Sequence, residues 1–69
     1  MTLDEATFAM ERKAVVEYHN PRLYIEHSKN YFISGITKRF EDGKFVYTLE
    51  LKQLNANSVV ITNLEAVSL

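Results

Sequence analysis

Two histidines, His19 and His27, stand close in sequence to Glu17 and Glu26, and imidazole beside carboxylate is a ligand set suited to zinc or a similar divalent cation. The spacing argues against it. In an extended strand Glu26 and His27 point to opposite faces, and the chain has no cysteine and no third histidine to complete a closed tetrahedral set. Both histidines are assigned to surface or loop roles, and no metal or other cofactor is expected. Ser28, Ser34, Ser58 and Ser68 offer hydroxyls that a base could activate, but none sits in an elbow motif and no base and orienting group accompany them. The carboxylates are scattered, with no pair arranged to raise one for general-acid work. The chain reads as non-enzymatic.

Two binding chemistries remain. Lys38, Arg39, Lys44 and Lys52 fall on one central stretch with Tyr31, Phe32, Phe40 and Tyr47 interleaved, and small β-folds use such surfaces to stack bases and hold phosphates. The plainer account is that the aromatics fill the core, with Phe40, Phe45 and Tyr47 buried together, while the charges solvate the outer face. A net charge of −1 supplies no broad attraction to nucleic acid or to acidic membranes. The other chemistry is protein binding. Tyr18, Tyr24 and Tyr31 lie near the loops after the first strands, and a tyrosine's apolar body and polar tip suit a partly wet interface. Their alternative role is to close the ends of the fold.

The elements that must position these residues are bounded by size. Sixty-nine residues form a single domain, residues 1–69, which buries only about 60% of the surface its unfolded chain exposes. A deep catalytic cleft does not fit in that volume. Without cysteines there are no disulfides to supplement a small core, so self-association into a homo-oligomer is the expected supplement. The composition, 46% hydrophobic and 25% charged, is that of an ordinary globular domain. No apolar run approaches the roughly 18 residues of a membrane span, and the acidic start MTLDEATFAM is unlike a signal peptide. A cytoplasmic location and no membrane partner are expected.

The chain opens with a helix over about 3–13. Thr2 followed by Glu5 fits a capping box, and Leu3, Ala6, Met10 and Ala14 recur at helical spacing. From there β-branched and aromatic residues predict strands at about 14–18 and 23–27, with the turn His19-Asn20-Pro21 between them and a polar break at Ser28-Lys29-Asn30. The strongest local signal is the hairpin of 31–40 and 45–54 around Glu41-Asp42-Gly43-Lys44. Asp-Gly supplies the positive φ angles of a tight turn that matches strand twist. The register that follows pairs Glu41 with Lys44, Phe40 with Phe45, Lys38 with Tyr47, Ile36 with Leu49 and Ser34 with Leu51.

Gly35 inside the first hairpin strand predicts a bulge or bend there. Asn55-Ala56-Asn57-Ser58 is a turn, 59–62 a strand, Asn63-Leu64-Glu65 an interruption with a brief helical turn, and 66–69 a last extended piece. The fold class is therefore mostly β (α+β): an N-terminal helix followed by a small antiparallel SH3-like barrel or a strongly bent sheet of about five strands. The barrel is the preferred form, because Gly35 and Asn63 fall where corners are needed.

Tyr31, Ile33, Ile36 and Arg39, then Gly43, Lys44 and Phe45, then Glu50 and Leu51, and finally Asn57, Ser58, Val59 and Ile61 follow a recognisable plan. By these positions the chain resembles a group of small uncharacterised proteins from phage and conjugative-element regions of Gram-positive bacteria. The resemblance covers about two thirds of the chain and implies a genomic setting, with no activity attached. The sequence reading is a non-enzymatic accessory or adaptor domain of phage or mobile-element origin that binds another protein. The alternative is a weak nucleic-acid binder using the central hairpin.

Overall fold

A computed structural model describes residues 1–19 and 27–69, with side chains in the second stretch from residue 30 onward. Helix α1 spans Leu3–Arg12, and Thr2 and Glu5 close the anticipated capping box: the Glu5 N–H donates to Thr2 Oγ1 at 3.1 Å and the Thr2 N–H to Glu5 Oε1 at 2.8 Å. The helix stops at Lys13, which turns into the left-handed region at φ 50° and lets its own N–H and that of Ala14 reach back to the last carbonyls. Ala6 and Ala9 are the buried face. Their small side chains let the helix lie close against the sheet, while Phe8 stays exposed beneath the Arg12 guanidinium, 4.3 Å from its ring centre.

Among the described residues five antiparallel strands follow: β1 (Val16–His19), β2 (His27–Glu41), β3 (Lys44–Gln53), β4 (Val59–Asn63) and β5 (Val67–Ser68), with a short 3₁₀ turn, η1 (Leu64–Ala66), before the last. Their order across the sheet is β4-β3-β2-β1-β5. The sheet is open, with β4 and β5 as its edges, so the bent-sheet form is the one adopted and the preferred closed barrel is not. Closure requires a ladder between β4 and β5. The chain instead steps from one to the other through η1, and β5 spends its two residues pairing with β1.

The break expected at Ser28-Lys29-Asn30 is absent, because β2 runs through it. Tyr18 opposite Ser28 and Val16 opposite Tyr31 supply ladder partners that override the poor strand propensity of polar residues. The separate strand expected at 23–27 lies outside the described residues except for His27, the first residue of β2. The hairpin register is as anticipated from Glu41↔Lys44 through Ile36↔Leu49. A bulge then shifts it, so that Ile33, and not Ser34, faces Leu51. Ser34 is the extra residue, and its single hydroxyl proton is shared between the Glu50 carboxylate at 2.7 Å and the Glu50 carbonyl at 3.1 Å.

The core lies on one face of this sheet: Val16, Tyr31, Ile33, Leu49, Leu51 and Val67, roofed by Ala6 and Ala9. The α-amino group of Met1 donates to the carbonyls of Leu64 and Val67 at 2.9 and 3.2 Å, which ties the start of α1 to η1 and β5. No helix of the described residues is long and apolar enough to cross a membrane.

Candidate functional site

The strands differ greatly in length, and the difference shapes the surface. β1 accompanies β2 only up to Tyr31, and β4 accompanies β3 only from Thr48 onward. Among the described residues, the hairpin from Thr37 to Tyr47 is therefore a two-stranded arm extending past the five-stranded body. Among the described residues no third strand accompanies it, and its two phenylalanines stay largely in water while Val46 and Tyr47 are half-buried.

Phe40 and Phe45 sit near the end of this arm, 64% and 55% exposed. Their rings meet edge to face with centroids 5.0 Å apart, and the Lys38 ammonium lies 4.1 Å from the centre of the Phe45 ring. Tyr47, opposite Lys38, continues the same face toward the body. At the base of the arm a shallow groove runs between Phe45 and Tyr47 on one side and Leu64 and Glu65 of η1 on the other. The expectation that Phe40, Phe45 and Tyr47 are buried together holds for their alignment and fails for the burial of Phe40 and Phe45, while Tyr47 is half-buried. The strand lengths carried the signal: a five-residue β4 cannot flank a ten-residue β3.

The four cations do not form one patch. The register places Lys38 on the face with Phe40 and Tyr47, and Arg39, Lys44 and Lys52 on the opposite face with Glu41 and Glu50 among them. Arg39 Nε lies 3.5 Å from Glu41 Oε1, and Lys44 is the cross-strand partner of Glu41. Lys52 is beside Phe32 and Val59 at the far end of the sheet, in a second shallow groove that Leu54 and Asn57 also line.

The tyrosines are placed differently from the arm aromatics. Tyr31 is only 9% exposed and belongs to the core, where Tyr18 meets it edge to face with centroids 5.7 Å apart. Tyr24 lies outside the described residues. His19 Nε2 is 2.8 Å from Ser68 Oγ and 3.6 Å from Glu17 Oε1, which holds the end of β1 to β5. Among the described residues no three groups of the His, Cys, Asp or Glu type come together as metal ligands. No family model, no curated protein and no solved structure matches this chain.

Proposed function

We propose that this chain is a non-enzymatic accessory module that binds a segment of another protein along the aromatic face of its β2–β3 arm. The observation that carries the reading is the exposed pair Phe40 and Phe45. Two phenylalanines left in water add little to the stability of the free protein, yet each buries about 150–250 Å² when covered. Lys38 beside them favours a partner segment whose apolar anchors are flanked by carboxylates. The grooves are shallow, which suits docking better than enclosure of a small substrate. A phage or mobile-element setting rests on the sequence resemblance alone.

A second reading, weak nucleic-acid binding, is favoured by the cation–ring contact of Lys38 and Phe45, against which a base can stack. The split of the cations between two faces weakens it, because a backbone of phosphates needs them along one track.

Selection of a random displayed-peptide library against the immobilised protein, beside a salt titration with single-stranded and duplex DNA, separates the two. Enrichment of acidic-apolar peptides that is lost in the Phe40→Ser, Phe45→Ser double variant supports protein binding. Salt-sensitive DNA binding lost in the Lys38→Glu, Arg39→Glu double variant supports the alternative. Enrichment that is indifferent to the phenylalanines overturns the role given to the arm.

A further inference from the structure

We infer that this chain forms a two-fold dimer by pairing strand β4 with β4 of a second copy, antiparallel and centred on Ile61. The strand β4 carries no guarding residues of its own along the edge it presents. Strands that are meant to remain single carry a lysine, a proline, a bulge or extreme shortness, and Val59–Asn63 has none of these. It lies within an uncharged stretch from Gln53 to Leu64, in a chain where one residue in four is charged. Val59 and Ile61 are 53% and 64% exposed on its outer face.

The ladder parity shows what the edge offers. The Gln53 N–H donates to the Ser58 carbonyl at 3.1 Å, so Gln53 and Ser58 form a hydrogen-bonded pair. Counting by twos along the register, Val60 opposite Leu51 and Thr62 opposite Leu49 are hydrogen-bonded pairs as well. The main-chain N–H and C=O groups of Val59, Ile61 and Asn63 then point away from β3. These three residues are symmetric about Ile61. Placed antiparallel against themselves they set Ile61 opposite Ile61 of the second copy and Val59 opposite its Asn63, and every outward donor meets an acceptor.

The alternative of a chain of copies joined β4 to β5 fails on length, because β5 has two residues and cannot satisfy a five-residue edge. Charge also favours the two-fold arrangement. Lys52, the neighbour of Val59 on β3, and Glu65, just beyond Asn63, come to the same end of the joint sheet from different copies. The symmetry repeats that opposite-charge pairing at the other end.

Light scattering on the size-exclusion column and sedimentation equilibrium test the dimer, with the expected mass being twice the 8.0 kDa of the chain. Ile61→Lys is expected to weaken association at least about 100-fold while circular dichroism stays native, since the charge enters an edge and not the core. Lys52→Glu should weaken it, and adding Glu65→Lys should restore it. The chain has no native cysteine, so Ile61→Cys supplies a register test: it should oxidise to a covalent dimer far faster than Val46→Cys on the arm. A chain that remains monomeric up to about 1 mM, the weak end of specific association, overturns the inference. So does a dimer that survives Ile61→Lys, or one in which Val46→Cys crosslinks as readily as Ile61→Cys.

Discussion

Phe40 and Phe45 face each other across the last but one rung of the hairpin, ring against ring at 5.0 Å, and both stay more than half exposed. Their contact is worth at most about 0.5–1.5 kcal/mol beyond the burial it achieves, and that burial is slight. The Phe40→Ser, Phe45→Ser double variant should therefore lower the unfolding free energy by no more than about 1.5 kcal/mol. Leu49→Ala, which empties a fully buried position in the centre of β3, should lower it by about 2–5 kcal/mol. Urea titrations of the three proteins decide this, and a double variant as damaging as Leu49→Ala would show that the arm is part of the core after all.

At the bulge, glycine is less necessary than its position suggests. A Cβ on Gly35 would stand 3.7 Å from Glu50 Cβ, an ordinary contact. Gly35→Ala should accordingly be tolerated, with a stability change within about 1 kcal/mol of zero. The bulge is held instead by Ser34, whose one hydroxyl proton is shared between the carboxylate and the carbonyl of Glu50. Ser34→Ala should cost more, about 1–3 kcal/mol for bonds that include a carboxylate. The ranking of the two denaturation midpoints is the measurement, and the reverse order would show that the glycine backbone shapes the bend.

Lys13 closes α1 with φ 50° and ψ 40°, a conformation that costs a side-chain-bearing residue about 1 kcal/mol. Lys13→Gly removes that cost at the position where helices most often place glycine. The gain is partly offset by the extra freedom glycine has in the unfolded chain, which leaves an increase of about 0.5 kcal/mol. An increase in the urea midpoint at an unchanged slope confirms it, and a decrease refutes it.

Glu5 is held below the ordinary glutamate range by the backbone N–H of Thr2 and next by the Thr2 hydroxyl, while desolvation opposes this weakly. A carboxylate whose folded value is depressed stabilises the fold above its unfolded pKa, and that contribution is lost as pH falls through the folded value. Stability should therefore decline on acidification below the glutamate range, and Glu5→Gln should flatten that part of the curve. Thermal unfolding of both proteins from neutral pH into acid gives the comparison. Parallel curves would show that the capping bond does not discriminate between the charged and neutral carboxyl.

How far each feature was legible follows the range of the interaction behind it. The capping box of Thr2 and Glu5, the turn at Asp42-Gly43 and the register back to Ile36↔Leu49 are set by residues a few positions apart, and they form as their spacing implies. The one-residue slip that puts Ile33 opposite Leu51 depends on which residue the bulge ejects, a choice that packing against the opposite strand makes. The polar stretch 28–30 becomes strand only because β1 lies beside it.

The aromatic residues draw the same line. Tyr31, Phe40, Phe45 and Tyr47 all suit a half-buried strand, and nothing in their type separates the core tyrosine from the exposed phenylalanines. The sequence by itself determined the helix, the strands from 31 onward, the turn at Asp42-Gly43 and which side chains share a face from there back to Ile36 and Leu49, because those obey local geometry. Only the tertiary structure decided that the sheet stays open and that the hairpin outruns its neighbours. Burial is a property of what lies across from a residue, and that partner is supplied by distant parts of the chain.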